Sequence, residues 1–313
     1  MLSVMEVKKR LPRDFIEELY SLHSPLVADK ILAGMAGKRN TTLRVNTLKY
    51  NIQDLMRYFR EINIKFERVS FFNDALVIKN ATEKDIQKLD IYEKGYIYLQ
   101  SLSSMIPPLV LGAKENEQIL DMASAPGSKT TQISAMMNNT GHIIANELDK
   151  IRCERLKFNL NNQGATNVEV INGYGEKLGE KYPETFDRVL LDTPCSGEGR
   201  FIAEIAGTYR NWSMKTVKEL SKIQRKLIKS GYNAVKPGGI MVYSTCTLNL
   251  EENESILKWA LENLSLKMMD IDLNIKNAIP GDKLGTNLGL EKAIKILPNK
   301  ETEGFFIAKL RKI

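Results

Sequence analysis

Two of the three cysteines stand where a thiolate could work. Cys195 lies in Asp192-Thr193-Pro194-Cys195-Ser196-Gly197-Glu198-Gly199, and Cys246 in Tyr243-Ser244-Thr245-Cys246-Thr247. Each segment follows an apolar, strand-like run and is rich in Gly or Thr, so a sulfur there can be both exposed and stabilised as its anion. Cys153 instead sits inside the helix-like KIRCERLKFNLNNQ and reads as a small buried hydrophobe. Three cysteines at long spacings fit neither a disulfide framework nor a paired zinc site. His23 and His142 are the only histidines, and neither has a metal-ligand pattern around it. No metal is expected, and acid–base or nucleophilic work must fall on carboxylates, Lys or Cys.

A second segment carries a different signal. Asp121-Met122-Ala123-Ser124-Ala125-Pro126-Gly127-Ser128-Lys129 follows a strand signal and opens a helix. Doubly wound folds bind ligands at such strand-to-helix turns, and small residues let the backbone come close to the ligand. Glu147 ends the next strand, 20 residues beyond Gly127, where an acid can take both hydroxyls of a ribose. A P-loop would need an adjacent Gly-Lys pair, but Ser128 separates Gly127 from Lys129. A dinucleotide fingerprint would need three glycines. A nucleoside cofactor without a pyrophosphate fits best.

The elements that must hold these segments are legible in outline. From about residue 95, strand-like runs 118–122, 142–148, 168–172, 186–192 and 240–245 alternate with helix-like ones, the pattern of βαβ units and a parallel sheet. The cofactor turn, Cys195 and Cys246 then fall at carboxyl ends of strands, on one edge of the sheet. The closing TEGFFIAKLRK adds one more strand, and Lys236-Pro237-Gly238-Gly239 ends a helix and leads into a strand. Upstream, 42–48, 51–62, IKFERVSF and ALVIK read β-α-β-β, a small α+β unit of ferredoxin or RNA-recognition type without the aromatic RNP1 signature. Residues 13–36 read as helical. The expected division is a helical segment over 1–40, the small module over 41–95 and a catalytic domain over 96–313.

Composition narrows the classes further. Hydrophobic residues make up 43% and charged residues 27%, which can build a substantial core. The first residues contain no signal-peptide apolar stretch, and no run approaches 18 apolar residues, so a cytoplasmic protein without membrane contact is expected. A net charge of +7 suits a polyanion, although a solvated basic surface would explain that charge equally well.

A thiol paired with a carboxyl suits one reaction well. Carbon 5 of cytosine is too weak a nucleophile to attack a methyl sulfonium. A thiolate adding at carbon 6, with an acid donating to ring nitrogen 3, turns the ring into an enamine whose carbon 5 can attack. The chain resembles the Nol/Nop/Sun family of RNA cytosine-5 methyltransferases, in the compact form of archaeal members. The resemblance rests on ASAPGSKT, LLDTPCSGEG, YSTCTLNLEENE and GFFIAKL, with YLQSLSSMIPPLVLG leading in, and it spans about residues 40 to 310.

The resemblance implies a Rossmann-like S-adenosylmethionine-dependent fold. It implies that Cys246 is the nucleophile, that Cys195 assists release of the product, that Asp192 contacts nitrogen 3 near the methionine end of the cofactor, and that Lys129 lies at the catalytic centre. Ala123, Ser124, Ala125, Pro126, Gly127, Ser128 and Lys129 would hold the cofactor, with Glu147 on its ribose, Arg152 beside it and Pro194 nearby. The first loop departs from the family's Cys-Ala-Ala-Pro-Gly-Gly-Lys by small-for-small exchanges. Where the family places an adenine-contacting Asp, this chain has Tyr174, which could stack or offer its hydroxyl.

Three other readings compete. A DNA cytosine methyltransferase would use Cys195 for attack and leave Cys246 idle. An RNA-binding assembly factor would not need Cys246, Asp192 and Lys129 intact. Within RNA, the compact layout resembles members that act on transfer RNA, and ribosomal RNA is the alternative.

Overall fold

The computed structural model describes residues 2–313. Three helices come first: α1 (Val4–Arg10), α2 (Arg13–Leu22) and α3 (Pro25–Gly34). The single helical stretch expected over 13–36 is thus two helices, because the chain turns extended at His23 and restarts at Pro25. A proline is tolerated at a first helical position, where its missing N–H would have no partner anyway. Phe15 and Leu19 are buried as their spacing predicts, but Leu26 is exposed.

A small sheet follows, built by β1 (Thr41–Val45), α4 (Ile52–Glu61), β2 (Phe66–Val69), β3 (Phe72–Ile78), α5 (Glu83–Ile86), α6 (Asp90–Glu93) and β4 (Ile97–Leu99). Its order is β2-β3-β1-β4 with every pairing antiparallel. That is the βαββαβ arrangement of a split βαβ fold, with the second helix shortened to the pair α5 and α6. The strand β4 lies beyond residue 95, so the small sheet reaches past the point where the sequence suggests the module ends.

The helix α7 (Leu102–Leu111) leads into a nine-stranded sheet. Its parallel part is β5 (Gln118–Asp121), α8 (Ser128–Met136), β6 (His142–Glu147), α9 (Lys150–Gln163), β7 (Val168–Asn172), α10 (Leu178–Lys181), β8 (Phe186–Asp192), α11 (Met214–Ala234) and β9 (Val235–Thr245). The remainder is α12 (Glu254–Asn263), β10 (Leu266–Met269), β11 (Ala278–Pro280), β12 (Ile294–Ile296) and β13 (Phe305–Lys312). The order is β11-β12-β13-β9-β8-β5-β6-β7, with β10 also pairing with β13. The five strands from β7 to β9 run parallel, and β13 is antiparallel to β9. Lys236–Gly239 bulge out of β9: Val235 faces Phe186, and pairing resumes only at Ile240 opposite Arg188.

Neighbouring residues on each strand serve opposite faces, as a two-residue period requires. Leu120, Val189 and Met241 pack against Leu227 and Ile228 of α11 and Ile256 of α12. Ile119, Leu190 and Val242 pack against Ile106 and Val110 of α7 and Ile133 of α8. The first three helices form a separate cluster in which Phe15, Leu19, Ile31 and Leu32 meet Phe201, Leu248 and Leu297. They therefore brace the loops that follow β8 and β9. Strand order reverses at β5, with the chain continuing to β6 on one side and returning as β8 on the other. This is the switch point at which such sheets bind ligands.

Candidate active site

Two cavities open above this switch point and share a wall. The larger, about 930 Å³, is lined by the turn after β5, by Asn146, Glu147 and Arg152, and by Asp192 to Cys195. The smaller, about 720 Å³, lies between the small sheet and the large one, with Tyr98, Gln100, Phe158, Glu303 and Phe305 among its lining. Ser104, Pro126, Ser128, Lys129, Asp192, Arg200 and Cys246 border both.

In the shared wall, Lys129 Nζ lies 2.6 Å from Asp192 Oδ2 and donates to Ser104 Oγ at 2.8 Å. Ser244 Oγ donates to Asp192 Oδ1 at 2.7 Å, so both carboxylate oxygens are held. Cys195 Sγ and Cys246 Sγ are 3.2 Å apart, and the Cys246 N–H donates to Cys195 Sγ. Their acidities diverge. The hydrogen bond from Cys195, followed by the guanidinium of Arg200, pulls the Cys246 thiol below its ordinary value against the opposing effect of burial. The same hydrogen bond, together with burial, pushes Cys195 well up. Cys246 is therefore the more acidic of the two thiols and the one that more readily forms a thiolate. The loop that carries Cys195 is pinned by Glu252, whose Oε1 accepts from the Ser196 N–H and from Gln224.

The turn after β5 is shaped by its glycine. Gly127 has φ +103°, and a Cβ there would sit 2.9 Å from Leu156 Cδ1. Both facts favour glycine. Its role is to place the turn against α9, and it does not itself line the cavity. Ala123, Ser124, Ala125, Pro126, Ser128 and Lys129 do, as do Glu147, Arg152, Asp192 and Pro194. Arg152 Nη2 donates to the Ala125 carbonyl at 2.6 Å, and its Nη1 lies 3.3 Å from Glu147 Oε2. It thereby ties the turn to the end of β6.

Three buried acceptors at this cavity have no hydrogen-bond donor: Asp121 Oδ1, Asn146 Oδ1 and Glu147 Oε2. Arg152 approaches Glu147 Oε2 as an ion pair without hydrogen-bond geometry. Buried polar atoms are normally satisfied. A ligand rich in hydroxyl and ammonium donors would supply what these three lack, and S-adenosylmethionine carries a ribose and an α-amino group. Burial also raises the Asp121 carboxyl to about 6, so an ammonium donor nearby would favour its ionised form.

Tyr174 is not brought into the cavity. It is 58% exposed, and Gly175 and Glu176 line the wall at this point instead. Cys153 is buried, as its place in α9 predicts. No role is assigned from sequence to Arg200, Ser104, Glu303 or Phe305, although Ser104 and Phe305 fall within the segments YLQSLSSMIPPLVLG and GFFIAKL. Arg200 sits five residues beyond Cys195 in a segment with no periodic signal, so only its closeness to the cysteine motif could have drawn notice. Among the described residues no helix is long and apolar enough to cross a membrane, and no three His, Cys, Asp or Glu gather as a metal site.

A parallel sheet with its ligand cavity at the switch point, followed by an antiparallel final strand, is the Rossmann-like fold of S-adenosylmethionine-dependent methyltransferases. A family model described as 16S rRNA methyltransferase RsmB/F matches residues 108–311, and the chain belongs to that family. Ribosomal RNA small subunit methyltransferase F of Citrobacter koseri is 37% identical over 297 residues, covering 93% of this chain and 61% of that protein. The protein of the same name from Aeromonas salmonicida is 33% identical and covers 96% and 64%. The chain thus spans less than two thirds of the length of these relatives. A methyltransferase homolog from Pyrococcus horikoshii superposes with a TM-score of 0.85 at 32% identity over the whole of both chains. NSun6 from the same organism, solved with SFG, has the same fold, with a TM-score of 0.84 at 24% identity over 97% of this chain and 99% of that one.

Proposed function

We propose that this protein methylates carbon 5 of a cytosine in RNA, with ribosomal RNA of the small subunit as the favoured substrate. The observation that carries this reading is the shared wall. Two thiols in contact and a lysine-held carboxylate stand between a cavity that fits the cofactor and a second cavity that faces the small module. S-adenosylmethionine, when bound, supplies an electrophilic methyl group. Ala123 to Pro126, Ser128 and Lys129, with Glu147 and Arg152, would hold it.

On the other side of the wall, a base unstacked from its RNA enters the smaller cavity. Cys246 Sγ adds to carbon 6 while nitrogen 3 takes up a proton from solvent, relayed by Asp192, which Lys129 and Ser244 hold in place. The resulting enamine places electron density on carbon 5, which faces the first cavity. After methyl transfer, solvent takes the carbon 5 proton, Cys246 leaves with the carbon–sulfur electron pair, and nitrogen 3 gives its proton back through Asp192, which restores the aromatic ring. Cys195, in contact with Cys246, assists that release.

The choice of RNA class follows the relatives, whose names specify small-subunit ribosomal RNA. The transfer RNA suggested by the compact layout finds no support among those names. The test is transfer of labelled methyl from S-adenosylmethionine to unmodified ribosomal RNA, transfer RNA and DNA in parallel, with nucleoside analysis. 5-Methylcytidine in small-subunit ribosomal RNA is the expected product. Labelled DNA, or no labelled RNA despite cofactor binding, would overturn the reading.

A further inference from the structure

The smaller cavity contains a carboxylate that none of these roles uses. Glu303 lines it together with Cys246, Asp192, Arg200 and Phe305, and does not border the cofactor cavity. Its place beside the nucleophile is fixed by backbone. The Gly304 N–H donates to the Gly199 carbonyl at 2.9 Å, and the Gly199 N–H donates to the Cys246 carbonyl at 3.0 Å. Two hydrogen bonds thus link the residue next to Glu303 with Cys246. A Cβ on Gly199 would fall 1.9 Å from the Gly304 carbonyl oxygen, so no side chain at that position can part the two strands of backbone.

The Glu303 side chain is anchored at one end only. Ser101 Oγ donates to Oε2 at 3.1 Å, and Ser103 Oγ donates to the Glu303 main-chain carbonyl at 2.8 Å. Among the described residues, Oε1 has no hydrogen-bond donor and Glu303 forms no ion pair. Asp192 differs, since both of its oxygens are already engaged. Besides Glu83 and Glu93, the cavity is lined by one carboxylate fixed from both sides, Asp192, and one with an acceptor to spare, Glu303.

A thiolate can add to carbon 6 of either cytosine or uracil, and the two rings have nearly the same shape. They differ at position 4, where cytosine carries an amine donor and uracil a carbonyl acceptor. An ionised carboxylate only accepts. Set against uracil, it would leave two acceptors facing each other.

We propose that Glu303 reads the exocyclic amino group of the target cytosine, accepting its N4–H on Oε1 and so rejecting uracil. The proposal rests on the reading of the protein as a cytosine methyltransferase. It assigns to Glu303 specificity for the base, not a part in bond making. A well-placed acceptor of this kind discriminates by about 10- to 100-fold.

The test compares binding of RNA oligonucleotides that span the methylated site and differ only at the target: cytidine, uridine, or 2-pyrimidinone riboside, which lacks the amino group. Both proteins carry Cys246→Ala so that no adduct forms, and one also carries Glu303→Leu, which removes the acceptor. The parent should prefer cytidine to both analogues. Glu303→Leu should weaken the cytidine RNA about tenfold or more and leave the pyrimidinone RNA within about twofold. Glu303→Asp should keep part of the preference, and cofactor affinity and melting temperature should not move. Equal loss on cytidine and pyrimidinone RNA would make Glu303 structural and overturn the proposal. A parent that does not distinguish the two RNAs would overturn it as well, while leaving cytosine methylation intact. Failure of the wild type to form 5-methylcytidine in any RNA would instead remove the reading beneath it.

Discussion

The two cavities are built in different ways. The cofactor-side cavity is assembled largely from one βαβ stretch, residues 121 to 152, with contributions from the ends of β7 and β8. The base-side cavity draws on residues scattered from Glu83 to Phe305, including α6, β4, α9 and the start of β13. The first depends on local geometry, a turn and two strand ends, so its chemistry survives as a short motif. The second depends on how the small sheet packs against the large one, so its residues share no spacing. Arg44 illustrates that packing. It is buried in β1, where it bonds Gln100 and reaches across to the Ser128 carbonyl and Thr131 Oγ1 of α8. Its guanidinium also lies 5.1 Å from the ring centroid of Tyr98.

Substitutions can test whether the cavities are as separate as this suggests. The largest effect is expected at the shared wall. Cys246→Ala should reduce methyl transfer by at least about a thousandfold while leaving both cofactor and RNA affinity in place. Cys195→Ala should instead accumulate a covalent RNA adduct through Cys246, seen as a slow band on a denaturing gel. Loss of cofactor affinity in either variant would mean that the wall also shapes the first cavity.

The next effect is confined to the cofactor side. Glu147→Gln removes a charged acceptor and should weaken S-adenosylmethionine binding by about 10- to 100-fold, measured by calorimetry, without changing RNA affinity. A parallel loss of RNA binding would show the cavities to be coupled.

Arg200 tests the wall's electrostatics. The Cys195 hydrogen bond and, after it, the Arg200 guanidinium lower the Cys246 thiol, so Arg200→Gln should move the thiol part of the way back up. The pH midpoint for alkylation of Cys246 should shift to higher pH. An unchanged midpoint would leave the Cys195 hydrogen bond as the sole source of the acidity. The smallest effect belongs to Tyr174, which is exposed and does not line the cavity. Tyr174→Ala should change cofactor affinity by less than about twofold, and a larger loss would return Tyr174 to the site.

The sequence was most informative where function and local structure coincide. The runs 168–172 and 186–192 match β7 and β8 residue for residue, and the helix-like KIRCERLKFNLNNQ is α9. Asp192, Cys195 and Cys246 could be placed on one edge because each ends or follows a strand of the same parallel sheet. Sequence alone did not foresee the break at Pro25, the joining of β4 to the small sheet, or the bracing of both cysteine loops by the first helices. Each of these depends on long-range packing, as when Phe15 meets Phe201 with ring centroids 5.1 Å apart.

What the sequence determined by itself was the set of reactive groups and the strand ends that carry them, because turn chemistry and hydrophobic period are local properties. It also placed Glu147 at the end of β6, within reach of a nucleoside. The tertiary structure supplied the reason Cys246 is the more acidic thiol, a 3.2 Å contact with a residue 51 positions away and Arg200 nearby. It also moved Tyr174 out of the site and brought Glu303 into it. Acidity and exposure are set by the neighbours a folded chain gathers around a group, and those neighbours come from distant parts of the sequence.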